Sequence, residues 1–136
     1  MRFGSRDWID ALVAALNAQP GLAPALRGLG ETAALVVEAD PPAWPRTVAA
    51  WAEQRGGRIA RWRLLADEDE ILELEPDYVI RATYGTVKAI LRGADAVQAA
   101  LSGRVKVEGD LEALIRRAQH RGVVDAALAA VETELP

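Results

Sequence analysis

Cysteine is absent from this sequence, which removes both a disulfide framework and thiolate chemistry. Histidine occurs once, at His120, so the multi-histidine sites that hold zinc or iron cannot be assembled. Its place near a helix end fits a structural role at the last carbonyls and the macrodipole. Ser5 and Ser102 are the only serines, and neither stands in a nucleophile-elbow sequence. No apolar run approaches the ~18 residues of a membrane span, and MRFGSRDWID carries no apolar signal core. The expected compartment is therefore the cytoplasm. A dense basic cluster is also missing: Arg58, Arg61 and Arg63 come nearest, in a chain of net charge −4. Nucleic acid is excluded as a partner on that ground.

What is present is small and apolar. Hydrophobic residues make up 51% of 136 residues, and 27 of them are alanine, against one phenylalanine. The length suits one domain with one core. Small side chains on facing elements either draw those elements together or leave a void between them. Composition permits a cavity without requiring one.

The most informative stretch is DYVIRATYGTVKAILRGADAVQAALSGRVKVEGDLEALI, Asp77 to Ile115. A strand over Asp77–Ala82 sets Tyr78, Ile80 and Ala82 on one face. A helix over Thr83–Arg92 carries Val87, Ile90 and Leu91 on one side, and Gly93 ends it. Asp95 caps a short helix through Leu101, with Val97, Ala100 and Leu101 inward. Gly103 turns the chain into a strand, Arg104–Glu108, in which Val105 and Val107 alternate with charged residues. Asp110 then caps a helix with Leu111, Leu114, Ile115 and Ala118 at i, i+3, i+4 and i+7.

This layout resembles the sterol carrier protein (type two) domain family, small bacterial-type stand-alone members in particular. The likeness rests on the helix end LRG at Leu91–Gly93, the run LSGRVKVEGDL at Leu101–Leu111 and the preceding DYVIRATY strand. It covers roughly residues 44 to 124, and the first forty residues match only as a leading helix and a first strand.

Upstream, Trp8, Leu12, Ala15 and Leu16 recur at helical spacing, which predicts a helix over Arg6–Ala18 broken by Pro20–Gly21. Leu22–Leu29 holds a short helical turn. Thr32–Ala39 has the β-branched density of a first strand, and the prolines of Asp40–Pro45 forbid a regular helix. Thr47–Gln54 reads as helix by propensity or strand by alternation, and the resemblance favours a strand. Arg58–Ala66 and Glu70–Glu75, joined by the acidic turn Asp67–Asp69, read as a hairpin. Ala60, Trp62, Leu64, Leu72 and Leu74 would face inward, with Arg61 and Arg63 opposite Glu73 and Glu75. Gly122–Leu135 supplies a last amphipathic helix with Val124, Ala127, Leu128 and Val131 on its stripe. The expected fold is α+β, a single mostly antiparallel sheet of about five strands. Its helices pack on the apolar face, and its other face is charged and solvated. Residues 1–31 form an N-terminal helical region, 32–110 the sheet and central helices, and 111–136 the C-terminal helices.

No catalytic constellation emerges. The acidic set Asp67–Glu75 is spaced for a turn and a strand face, not for two carboxylates flanking one bond. Gly103 and Gly109 are turn glycines and do not form a phosphate-cradling loop. A hydrolase lacks its nucleophile and base here, and neither cofactor nor metal is expected.

The resemblance implies a non-enzymatic function: an apolar tunnel between sheet and helices that takes up sterol, fatty acid, acyl-CoA or another apolar molecule. By position, its lining would draw Trp62, Leu64, Leu74, Ile80, Val105 and Val107 from the strands. Val87, Ile90, Leu91, Val97, Leu101, Leu111, Leu114 and Ile115 would come from the helices. Transient membrane contact and a homodimer are compatible with that role. The other reading is a filled core in an interaction or dimerisation module, accessory to an enzyme of lipid metabolism, with Trp8, Trp44 and Trp51 as candidate interface anchors. Between the two stands the last helix. Set off by Gly122 and held by a narrow stripe, it is expected to act as a lid that opens for ligand.

Overall fold

Ser5 opens the first helix: its Oγ accepts from the Trp8 amide at 3.2 Å, and α1 runs Arg6–Asn17. In the computed structural model, which describes residues 1–136, a short α2 (Leu22–Leu26) follows, and then the sheet begins. Its strands are β1 (Thr32–Glu38), β2 (Val48–Arg55), β3 (Arg58–Leu64), β4 (Tyr78–Thr83) and β5 (Val105–Glu108), in the order β3-β2-β1-β4-β5. Strand β1 is central, antiparallel to β2 and parallel to β4, while the two outer pairs are antiparallel. The segment Thr47–Gln54 is thus a strand, as alternation allowed.

Register decides the faces. Leu35 lies opposite Ala50 and Ile80, and Val37 opposite Val48 and Ala82. Leu64 and Trp62 continue that face on β3, and Val105 and Val107 continue it on β5. Helices α1 and α4 (Tyr84–Leu91) cover it, with α5 (Ala96–Leu101) close by on β5. Asp95 and Asp110 cap their helices as the sequence marks, and Thr83, expected as the first residue of its helix, is a cap as well. Thr83 Oγ1 accepts from Thr86 N, Asp95 Oδ1 from Val97 N at 2.9 Å, and Asp110 Oδ1 from Ala113 N at 3.1 Å. Asp110 starts α6 (Leu111–Arg116), which passes through a 3₁₀ turn at Arg117–His120 into α7 (Arg121–Ala129). His120 therefore stands at a junction between helices. It is not in the last turn of a longer one, and it makes no capping bond.

The segment Glu70–Glu75 departs from expectation. It is a helix, α3 (Glu70–Leu74), and it lies on the opposite face of the sheet from the other helices. Its leucines alternate, but Ile71 and Leu74 are also three apart, and Ile71 is the residue buried, against Ala34, Val36, Ala49 and Val79. Leu72, expected inward, is 78% exposed. Carboxylates bring the segment onto the sheet: Glu70 accepts from Ala66 N and pairs with Arg63 at 3.3 Å, while Glu68 pairs with Arg81. Arg61 is held by Glu53 of the neighbouring strand at 3.0 Å. The expected pairing of Arg61 and Arg63 with Glu73 and Glu75 does not occur. The outer face is accordingly an apolar centre under Ile71, ringed by ion pairs, and helices lie on both sides of the sheet. Glu75 adopts a left-handed φ of 45° before Pro76, which stops α3.

Aromatic residues from four separate segments meet at one end of the inner layer. Phe3, Trp8, Trp44 and Tyr84 pack with Val131, Trp44 and Tyr84 stacked at 4.9 Å and Phe3 edge-on to Trp8 at 4.8 Å. Trp8, Trp44 and Trp51 are all buried, which removes them as interface anchors. Trp51 sits on the outer face under the Arg61 guanidinium.

The premise of the lid does not hold. Gly122 lies within α7, and the change of direction comes from the 3₁₀ turn before it. Ala127 is wholly buried, Val131 belongs to the aromatic cluster, and Arg2 pairs in parallel with Glu134. Ala127 and Leu128 of the last helix and Val131 after it thus anchor an otherwise exposed helix to the core.

Candidate functional site

Between the inner sheet face and α1 and α4 the packing is incomplete. A cavity of about 350 Å³ remains, lined by nineteen residues of which eighteen are hydrophobic. Its floor is Leu35, Val37, Val48, Ala50, Leu64, Ile80, Ala82 and Val105. Its walls are Trp8, Ile9 and Leu12 from α1 and Val87, Ile90 and Leu91 from α4, with Phe3 and Trp44 at the aromatic end. The cause lies in side-chain size. Ala50 and Ala82 stand in the floor, and Ala96 in the wall, where larger residues would meet the opposing layer. Leu35 shows the result most directly: on the central strand of the sheet it is still 48% exposed.

A second, larger hollow of about 770 Å³ adjoins it between the start of α5 and α7. Ile90, Leu91 and Ala96 line both. Its apolar wall includes Val97, Leu114, Val124 and Leu128, and its polar groups are Asp95, Arg117, Arg121, Asp125 and Thr133. Both volumes lie in the range of small-molecule sites, roughly 300–1,000 Å³.

Of the residues expected to line a tunnel, Leu64, Ile80, Val87, Ile90, Leu91 and Val105 line the inner cavity. Ile90, Leu91, Val97 and Leu114 line the outer one. The rest lie elsewhere. Trp62 donates from Nε1 to Asp10 of α1 at 2.9 Å, and Leu101 is 63% exposed. Leu74 belongs to α3, on the far side of the sheet. Val107, Leu111 and Ile115 are half-buried without reaching either hollow. The inner cavity also recruits Trp8, Leu12, Leu35 and Trp44, which sequence reasoning assigned to helix stripe, strand or connector, and Phe3, to which it gave no place. The apolar stripe of α1 was visible; its position over the sheet was not.

The ionisable groups of shifted affinity are structural and lie away from the inner cavity. Arg61 holds the Glu53 carboxyl below its ordinary range by a two-point hydrogen bond, against the opposing effect of burial, with Arg55 assisting. Burial pushes the Tyr78 phenol up, reinforced by Asp110 and Asp77. A hydrogen bond to Glu68 raises Arg81 further. No group of three or more histidine, cysteine, aspartate or glutamate side chains is placed to hold a metal ion. The cavity can therefore hold an apolar body by excluding water, without directional bonds.

The model of the SCP-2 sterol transfer family matches residues 10–119. The chain belongs to that family. The match begins within α1, earlier than the motifs alone indicated. Among solved structures, a sterol carrier protein 2 superposes with a TM-score of 0.76 at 26% identity, covering 94% of this chain and 98% of its own. A conserved hypothetical protein from Thermus thermophilus gives 0.74 at 24%, over 94% and 89% of the two chains. UbiJ-SCP2, described as a ubiquinone synthesis protein, shares the fold at 0.55 and 18% identity, over 93% and 95%. No curated protein matches the chain in sequence. The family places this chain among proteins of lipid binding and transfer, and the α+β sheet-and-helix architecture is the family's.

Proposed function

We propose that this chain binds and hands on a long apolar molecule, such as a sterol, fatty acid or acyl ester, without catalysis, in the cavity between sheet and helices. The observation that supports it best is the exposure of Leu35 on the central strand, into a space whose lining is apolar throughout except for Gly4. Removing ligand surface from water drives such binding at roughly 25 cal/mol per Å², so selectivity for chain length is loose. Transfer is compatible with action in the cytoplasm and brief contact with membranes; no helix is long and apolar enough to cross one. Native mass spectrometry of gently purified protein and displacement of a fluorescent fatty acid test the reading. Co-purified lipid or saturable displacement supports it. Neither lipid nor uptake at high micromolar probe overturns it.

The alternative is an accessory module for a lipid-metabolism enzyme, as a homodimer or bound to that enzyme. It retains one point of support, the fold shared with UbiJ-SCP2. Its tryptophan anchors are buried. A monomer by light scattering at all accessible concentrations would remove its homodimeric form.

A further inference from the structure

Helix α5 lies against β5 and has one buried residue, Ala99. The rest of it stays open. Ala96, Gln98 and Leu101 are exposed, as are Ala94 before it and Val124 across the mouth of the outer hollow. From Gly93 to Gly103 the sequence is GADAVQAALSG, with a single charge, and that Asp95 carboxylate is engaged by the amides of Val97 and Gln98. An isolated exposed leucine is ordinary. Here it ends a run of small apolar residues whose first helical member, Ala96, lines both hollows.

Arginines flank the run. Arg92, just before Gly93, and Arg104, just after Gly103, are exposed and take part in no ion pair. The side chain of Arg104 donates only to Ser102 Oγ, at 3.3 Å. Residues 84–107 carry four basic side chains and one acidic, so the remainder of a chain whose total is −4 stands at −7. Of the other two basic groups, Lys88 donates to the Pro136 carbonyl, and Lys106 lies opposite Arg81 on the outer face of the sheet. The next carboxylate, Glu108, is at the far end of β5, level with Val79, whereas Val105 is level with Ala82. A positive and otherwise apolar edge on a negative molecule complements an anionic bilayer. There arginines meet lipid phosphates, and a short apolar helix settles at the headgroup boundary.

We propose that α5, with Arg92 and Arg104 at its ends, is the face this protein lays on an anionic membrane. This rests on the cavity reading above and adds to it the place where ligand is exchanged. Val97 lines the outer hollow, and Ala96 and Leu91 line both. A chain leaving the bilayer beside α5 thus reaches the inner cavity along apolar side chains, without crossing open water.

Co-sedimentation of the full chain with vesicles tests this, using phosphatidylcholine alone or with about one third phosphatidylglycerol. The wild type should bind the anionic vesicles about tenfold more tightly than the neutral ones, and ~0.5 M salt should remove the difference. The double variant Arg92→Gln, Arg104→Gln should lose most of that preference. Leu101→Gln should weaken binding to the anionic vesicles about fivefold, the scale of one partly buried leucine. None of the three residues lines a hollow, so affinity for a fluorescent fatty acid in vesicle-free buffer should match the wild type. Wild-type protein that ignores both vesicles, or variants that bind them as well as it does, overturns the proposal and leaves the cavity reading intact. A wild-type dimer seen by light scattering and dissolved by Leu101→Gln overturns it too, because the face then takes a second copy. Failure of the fatty acid to bind in buffer overturns the cavity reading instead, whatever the vesicles show.

Discussion

The indole Nε1 of Trp8 donates to Thr133 Oγ1 at 2.8 Å, joining the first helix to residues beyond the last one. Around that bond, Phe3 N donates to the Glu134 carbonyl at 3.0 Å and the Tyr84 hydroxyl to the Pro136 carbonyl at 2.8 Å. The tail is therefore a structural strap across the aromatic cluster. Deleting residues 123–136 should abolish cooperative thermal unfolding and near-ultraviolet circular dichroism, because Ala127, Leu128 and Val131 leave the core with it. Thr133→Ala alone should cost about 1–3 kcal/mol by leaving the indole N–H without its acceptor. A truncated chain that keeps its fold and merely exchanges probe faster would restore the lid.

Helix α3 makes a sharper distinction between two readings of the same six residues. If Glu70–Glu75 were a strand with Leu72 and Leu74 inward, Leu72→Ala would be the damaging change. Because Ile71 is the buried residue, at 9% exposure, Ile71→Ala should destabilise by about 2–4 kcal/mol, the range for large-to-small core changes. Leu72→Ala should stay within about 0.5 kcal/mol, as for other surface changes. Urea denaturation of the two variants settles the matter, and the reverse order would contradict the helix.

How far residues alone could be read follows from where each signal resides. From β4 through α6 the joints carry their own chemistry: Asp95 and Asp110 bond the first turns they precede, and Gly93, Gly103 and Gly109 have φ of 80° to 122°. Those elements were legible for that reason. Glu70–Glu75 was not, because six residues with two alternating leucines satisfy both periods, and the deciding contacts are carboxylates meeting arginines on other strands. The aromatic cluster was equally invisible, since Phe3, Trp8, Trp44 and Tyr84 share no local spacing. Six of the nineteen residues lining the inner cavity were expected from the sequence; Leu35 and the α1 wall needed the tertiary arrangement that makes β1 central and sets α1 over it.

The Glu53 clamp predicts an acid limb in stability. The folded carboxyl has a lowered pKa, chiefly through the Arg61 hydrogen bond, so the folded state binds fewer protons than the unfolded one as pH falls. Its contribution is complete above the ordinary value of 4.5 and is lost as pH falls below that toward the depressed folded value. Urea midpoints measured from pH 6 to pH 3 should decline more steeply in the wild type than in Glu53→Gln, which has no proton to take up. Parallel pH profiles would show that the pairing with Arg61 and Arg55 contributes nothing to the folded state.

Leu35 offers the most direct control over the cavity. It projects from the middle of the sheet toward α1 and α4, with its side chain half exposed, and its strand neighbours on that face are Ala50 and Ile80. Replacing it with tryptophan adds volume into space that no side chain occupies, so the overpacking penalty of about 1–3 kcal/mol for a filled core should not apply. Leu35→Trp should therefore fold with the wild-type thermal midpoint or a slightly higher one, because it buries apolar surface that is now exposed. The same change should weaken a fluorescent acyl probe by tenfold or more. The opposite substitution, Leu35→Ala, enlarges the floor and should cost less than about 2 kcal/mol, below the usual range for a buried leucine, because much of its surface is already wet. Probe affinity unchanged in Leu35→Trp, with the fold intact, would place the ligand elsewhere on the molecule.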